Sequence, residues 1–229
     1  MIEEGKKMDT LIDIKELWIN GSKEDWKIAL ESYFDNASVK KHIELEKKME
    51  RLDPQVIKQL DVESFYDFLY NEYFVWKYTA NNRLTTTRKQ LEKHKADIAS
   101  LGSIQANIFT AFMLDPKNTE LLFCITKQIH GLGTAGASGL LAVLFPECYG
   151  TVDQYMVKAL RKIDILPEHE MLMAMKEEEL TSKDAVLLEN ILRCKAKELN
   201  DKFGTEDWTP RKVDMILWAS DRDDTKGKD

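Results

Sequence analysis

The sequence predicts an all-α fold, a compact array of about ten helices joined by short connections. Three observations predict it. Apolar residues recur at helical spacing in segment after segment, and no alternating strand pattern rises above background. Lys, Glu, Leu and Ala are abundant, whereas Gly is 10 and Pro only 5 in 229 residues, a balance that favours helices. Several prolines and one glycine fall where helices begin or end, as at Asp53-Pro54, Asp115-Pro116, Gly204 and Thr209-Pro210.

Residues 1–22 are weakly patterned. Lys23 to Asn36 carries Trp26, Ile28, Ala29, Leu30, Tyr33 and Phe34 at helical spacing, and Lys40 to Leu52 is a charged helix with a thin apolar stripe. Asp53-Pro54 starts the next helix. Asp61 to Tyr78 is aromatic-rich, and Phe65, Phe68, Leu69, Tyr73 and Trp76 form one stripe, the usual mark of a core helix. A turn with Asn81-Asn82 as its break leads to a basic helix, Arg83 to Ala99. Ser103 to Leu114 is strongly apolar and stops at Asp115-Pro116. Asn118 caps a helix running to Ile129. Pro167 to Leu180 is acidic with three methionines. Thr181 to Asp184 forms a capping box with Asp in place of Glu, opening a helix to Phe203 that Gly204 closes. Thr209-Pro210 starts the last helix, with Val213, Met215, Ile216, Leu217 and Trp218 as its apolar face.

Composition bounds the function. Hydrophobic residues are 43% and charged residues 32%, enough for a sizeable core, with no run of about 18 apolar residues for a membrane span. MIEEGKKMDT has no hydrophobic signal core, so the expected location is cytoplasmic. Cys124, Cys148 and Cys194 lack paired spacing, which argues against disulfides or a zinc site and for small core residues. The net charge of −7 argues against tight, non-specific nucleic-acid binding. The charge is uneven, however. Residues 76–100 hold six basic residues (Lys77, Arg83, Arg88, Lys89, Lys93 and Lys95) against two acidic, while residues 165–229 hold 11 basic against 16 acidic. A DNA-facing surface would have to be local.

The stretch from Gln128 to Leu160 carries the chemistry. Gly131-Leu132-Gly133-Thr134-Ala135-Gly136 spells G-x-G-x-x-G, and Asp153 lies twenty residues beyond Gly133. That spacing matches a dinucleotide-binding fingerprint with its ribose acid, but the fingerprint needs a preceding buried strand, and here ITKQIH is the end of an amphipathic helix. A helix–turn–helix arrangement fits better. Gly131 and Gly133 can take positive φ and reverse the chain. The next helix then presents unpaired N–H groups and its dipole to a phosphate without any basic side chain. Gly136 and Gly139 each cost about 1 kcal/mol against Ala within a helix; with Ala135, Ala137 and Ser138 they make a bare face that another backbone can approach. A plain tight turn between packed helices explains the same glycines. Thr151 suits a helix N-cap and Asp153 the first turn, where the dipole favours an acid; the same carboxylate suits an electrostatic or general-base role.

I-H-G-L-G-T-A at 129–135, followed by a small-residue helix and by V-D-Q-Y-M-V at 152–157, resembles the helix-hairpin-helix (HhH-GPD) DNA glycosylase superfamily of base excision repair. The likeness is close over residues 128–160 and one of kind over roughly 60–220. It implies an N-terminal helical extension at 1–55, without a counterpart in the superfamily and open to packing or to docking a protein partner, a glycosylase-like domain at 56–220 with its hairpin at 128–144, and a disordered tail at 221–229. It implies that Gly131, Leu132, Gly133, Thr134 and Ala135 meet a DNA phosphate through backbone amides, with a monovalent cation as the only cofactor, and that Asp153 is the catalytic carboxylate. The target base would be flipped into a pocket, with Tyr73, Trp76 and Trp218 as candidate lining rings. Asp153 would stabilise positive charge growing on the deoxyribose, or orient a water.

The departures carry expectations of their own. Ala135 stands where strand-cleaving members carry a lysine, so the resemblance implies a monofunctional glycosylase that leaves an abasic site, without Schiff-base chemistry. The four-cysteine iron–sulfur loop is absent. His130 replaces a proline and reads as a turn residue; Gln154 replaces a threonine. Arg211 and Lys212 read as solvated charges within reach of phosphate. The alternative function is a non-catalytic helix-hairpin-helix DNA-binding or scaffold protein. A nicotinamide-dependent enzyme would require strands.

Overall fold

The computed structural model describes residues 13–223, and every regular element among them is helical. The order is α1 (Ile14–Asn20), α2 (Lys23–Asp35), α3 (Ala37–Lys40), α4 (Ile43–Glu50), α5 (Pro54–Gln59), α6 (Val62–Phe68), α7 (Phe74–Lys77), α8 (Asn81–Leu91), α9 (Ile98–Leu114), α10 (Thr119–Thr126), α11 (Thr134–Leu144), α12 (Gln154–Arg161), α13 (His169–Ala174), α14 (Ser182–Phe203) and α15 (Pro210–Asp223). A π-helical turn, Leu69–Tyr73, links α6 to α7, and a 3₁₀ turn, Glu92–Ala96, follows α8. The finer division into fifteen α-helices arises because several long predicted segments are broken by local capping.

Those breaks have identifiable causes. Asn81 and Asn82 do not interrupt a helix; they open α8, and Asn82 Oδ1 accepts the Arg83 N–H at 2.8 Å. The basic segment ends at Ala96, and Asp97 then caps α9 through the Ser100 N–H, so α9 begins five residues before Ser103. Gly102 sits inside α9, where its missing side chain lets Val62 of α6 approach. The capping boxes at Ser22/Asp25 and Thr181/Asp184 each satisfy two N–H groups. Gly204 takes φ 62 and closes α14.

α11 is the centre. TAGASGLLAVL contains no charge, and every residue from Gly136 to Leu144 is buried, as a helix that is apolar all round must be. α10, α14 and α15 pack on it. Residues 14–49 do not stand apart: Ile14, Leu17, Trp18, Trp26 and Met49 belong to the same core as Leu140 and Leu192. α14 clamps them. Lys195 Nζ donates to the Trp18 carbonyl at 2.7 Å and Lys202 Nζ to that of Gly21 at 3.0 Å, while Trp26 packs edge-on to Trp208 at 5.8 Å. The described part of the extension therefore packs into that core.

Two further expectations change. α15 continues through Asp223, and Asp221 is buried, so 221–223 are helical rather than tail; residues 224–229 lie outside the described residues. The cysteines are free but do not fill the core: Cys124 and Cys194 are exposed and Cys148 is half-buried, because they lie on outer faces of their elements. No described helix is long and apolar enough to cross a membrane.

Candidate functional site

The glycine turn lies between α10 and α11, so a helix, not a strand, precedes it. Gly131 takes φ 98 and carries the chain reversal; Gly133 does not, with φ −80. A Cβ on Gly131 would also lie 2.8 Å from the Thr87 carbonyl of α8. Gly131→Ala combines left-handed strain with this overlap and is expected to cost about 1–3 kcal/mol, read as a lowered urea midpoint. His130 closes the turn locally. Its N–H donates to His94 Nε2 at 2.9 Å, and the two rings sit 4.4 Å apart. Gly133 is exposed and offers no side chain to cap α11, so the N–H groups of the first turn are left for an outside acceptor.

Asp153 is fixed by three side chains acting on the backbone before it. Gly150 N–H donates to Glu189 Oε2 at 3.0 Å, Thr151 N–H to Asp214 Oδ2 at 2.8 Å, and Val152 N–H to Ser138 Oγ at 2.9 Å. Ser138 belongs to the bare face of α11, so the hairpin and the acid share one rigid frame. Thr151 is not the N-cap; Asp153 is, two residues later. Its Oδ1 accepts from Tyr155 N–H at 3.0 Å and Met156 N–H at 3.3 Å. Its Oδ2 faces Lys77 Nζ at 3.8 Å, with the two side chains only 18% and 10% exposed. One carboxylate oxygen thus holds the helix and the other faces inward.

Beside them opens a cavity of about 850 Å³, within the range of roughly 300–1,000 Å³ usual for small-molecule sites. Gly131, Gly133, Thr134, Ala135 and Gly136 form one wall, with Asp153 and Lys77 at its side. Trp76 and Trp218 line it; Tyr73 does not. Tyr73 is fully buried, and its hydroxyl donates to the Gly136 carbonyl, so this predicted pocket ring is a core residue that braces α11. Leu132 turns inward to the core at 6% exposure, so only its backbone belongs to the turn's outer surface.

The floor is an ion network that sequence reasoning missed. Arg211 is 5% exposed, not a solvated charge. Its guanidinium reaches Asp214 at 2.7 Å, Glu46 at 3.0 Å and Glu50 at 3.3 Å. Glu46 also accepts from the Tyr33 hydroxyl at 2.8 Å and the Trp76 indole N–H at 2.6 Å. Tyr33 and Glu46 come from α2 and α4, so these N-terminal helices build part of the site. The only sequence signal was the i, i+3 spacing of Arg211 and Asp214. Lys212 remains partly exposed and donates to the Asp207 carbonyl. The lining is mixed in charge: Arg83 of α8 borders the cavity, and so do Glu177, Glu178 and Glu179.

Burial decides the charges here. It pushes the Asp214 carboxyl up to about 6 against the pull of Arg211, and Glu189 well above the carboxylate range. It lowers the Lys77 ammonium below the lysine range, against the pull of Asp153 and Asp214. A raised carboxyl pKa means the folded state holds the proton more tightly than the unfolded one, so stability is full below the ordinary pKa and falls as pH rises through the folded value. Glu189→Gln keeps an acceptor for Gly150 N–H. It is expected to remove the Glu189 share of that fall, leaving the Asp214 share between 3.8 and about 6. Urea midpoints of the wild type and the variant, followed upward from about pH 3, check this.

Among the described residues no group of three or more His, Cys, Asp or Glu is arranged to hold a metal ion. Compared with known protein families, with curated proteins and with solved structures, the chain matches none.

Proposed function

We propose that the protein is a DNA glycosylase of the helix-hairpin-helix kind. It draws a damaged or modified base into the cavity and hydrolyses its N-glycosidic bond, leaving an abasic site, in base excision repair or in defence against modified foreign DNA. One observation carries the proposal. The glycine turn, with its uncapped helix start, and the inward oxygen of Asp153 open onto one cavity that also presents two indole rings.

Each part then has a task. The first-turn amides of α11 take a DNA phosphate, helped by the helix dipole. The Ile129 and Gly131 carbonyls accept one hydrogen bond each, from Leu132 N–H and the Tyr78 hydroxyl. Their second lone pairs suit a monovalent cation, which would add positive charge beside that phosphate. α8 packs on the turn and places Arg83 at the cavity mouth, giving an acidic protein the local positive surface that DNA requires. Trp76 and Trp218 offer faces on which an extruded base stacks. Asp153 Oδ2 stabilises the positive charge that grows on the deoxyribose as the base departs, or orients the attacking water.

A non-catalytic DNA-binding module is the competing function. The acidic rim at Glu177–Glu179 and the capping task of Asp153 favour it. Incubation with DNA carrying alkylated, oxidised, deaminated or bulky phage-type bases separates the two. Alkali-labile sites on one class of base are the expected result; intact DNA throughout, with binding retained, would assign the protein to the binding class.

A further inference from the structure

We infer that the outer face of α8 is a second DNA-backbone contact, a track of donors that takes consecutive phosphates of one strand beside the glycine turn. The inference rests on DNA as the ligand in the proposed function. It adds the surface along which the duplex lies.

The track is built from helix spacing. Asn82, Thr86, Lys89 and Lys93 follow one another at intervals of four, three and four residues, which puts them on one face. All four are exposed. Asn82 and Thr86 line the cavity. Lys89 lies beyond them near the end of α8, and Lys93 in the 3₁₀ turn that follows. The glycine turn runs alongside. Thr87 and Gln90, next to the track, meet it: a Cβ on Gly131 would lie 2.8 Å from the Thr87 carbonyl and 3.4 Å from Gln90 Cβ. Farther along, His94 Nε2 accepts the His130 N–H. At 1.5 Å per residue the track is about 16 Å long, or roughly five 3.4 Å steps along a DNA strand.

Its charge is unopposed. Glu92 is the one acid between Asn81 and Ala96. It follows Arg88 by four residues and precedes Lys95 by three, so it shares their face and not the track's. Those two cations are engaged elsewhere. Arg88 Nε donates to the Tyr70 carbonyl at 2.9 Å and its guanidinium covers the Tyr70 ring, while Lys95 Nζ stands 5.4 Å over the Tyr66 ring. A solvated helix face in an acidic chain pairs its charges, as Lys47 does with Glu44 and Lys197 with Asp201. The track instead sets an amide, a hydroxyl and two ammonium groups in line, all of them donors suited to phosphate oxygens. With a net charge of −7, the rest of the surface repels a polyanion, so DNA settles where acids are absent.

The salt dependence of duplex binding tests this without any base release. Each phosphate contact on duplex DNA contributes about 0.9 to the slope of log affinity against log salt. Lys89→Gln combined with Lys93→Gln is expected to reduce that slope by about 2, and to weaken binding of an unmodified duplex at least about 10-fold at about 0.1 M salt. The control is Lys47→Gln combined with Lys197→Gln, which removes the same two charges from lysines already paired on other helices. It is expected to leave the slope unchanged. An unchanged slope in the first variant, or an equal fall in both, would overturn the inference, as would a wild type that does not bind duplex DNA. Base release by a wild type whose slope ignores Lys89 and Lys93 would keep the glycosylase and remove the track. The expected fall in slope, in a protein that releases no base, would keep the track and leave a DNA-binding module.

Discussion

Asp153→Asn is expected to lower base release at least about 100-fold, the scale of losing one charge-stabilising group in an active site, while DNA binding and the fold persist. The carboxylate has two tasks on separate oxygens. Oδ1 caps α12 through Tyr155 and Met156. Asn is as good a cap as Asp, so an amide that keeps its oxygen toward these N–H groups preserves the helix start within a few tenths of a kcal/mol. Its NH₂ then takes the inward position. A neutral group there gives no charge to an oxocarbenium-like sugar and cannot take a proton. The phosphate-holding amides belong to α11 and are untouched. Single-turnover base release, set beside a binding isotherm at the same salt, checks both halves. Loss of binding in step with activity would instead make Asp153 a structural residue.

Arg211→Met is expected to cause the largest loss of stability, about 3–5 kcal/mol, or roughly 10 °C in Tm for a chain of this size. Arg211 is the shared partner of Glu46, Glu50 and Asp214, and the Glu46 and Asp214 side chains are only 8% and 3% exposed. Removing the guanidinium leaves carboxylates facing one another without compensation, which costs more than a lost surface pair. The effect would reach the site, because Glu46 also holds the Trp76 indole and Asp214 holds the Thr151 N–H two residues before Asp153. Adding Asp214→Asn to Arg211→Met is expected to cost less than the sum of the two single changes, since one charge needing a partner is gone. Urea unfolding of the four proteins gives the coupling directly. Strict additivity would mean that the buried network is not what Arg211 stabilises.

The helices were legible because periodicity and caps are local. The Thr181 box, Pro54, Pro210 and Gly204 all stand where their chemistry places them. The glycine turn between two helices, and a helix starting at Asp153, were legible for the same reason, being set within one short stretch. What escaped depends on long-range packing. Lys77 belonged to a basic run and read as surface charge; only the fold carries its stem across Gly139 into a cavity. The π turn at Leu69–Tyr73, invisible to a 3.6-residue pattern, precedes it. Tyr73 and Trp76 shared one stripe, yet one is core and the other wall, because a wide turn changes which side emerges. Arg211 looked solvated because its partners, Glu46 and Glu50, lie some 160 positions earlier. Nothing in residues 1–55 taken alone marks Tyr33 or Glu46 as part of a site.

The identity of what leaves the DNA tests the glycosylase function most directly. Once a modified base is found that yields alkali-labile sites, mass spectrometry of the untreated reaction measures free base against abasic sites formed. The expected result is one free base per abasic site with the wild type and neither with Asp153→Asn, although both bind the DNA. Bound but unaltered DNA in the presence of the wild type, with no free base across every class of substrate, would contradict a glycosylase and leave the cavity as part of a DNA-binding surface.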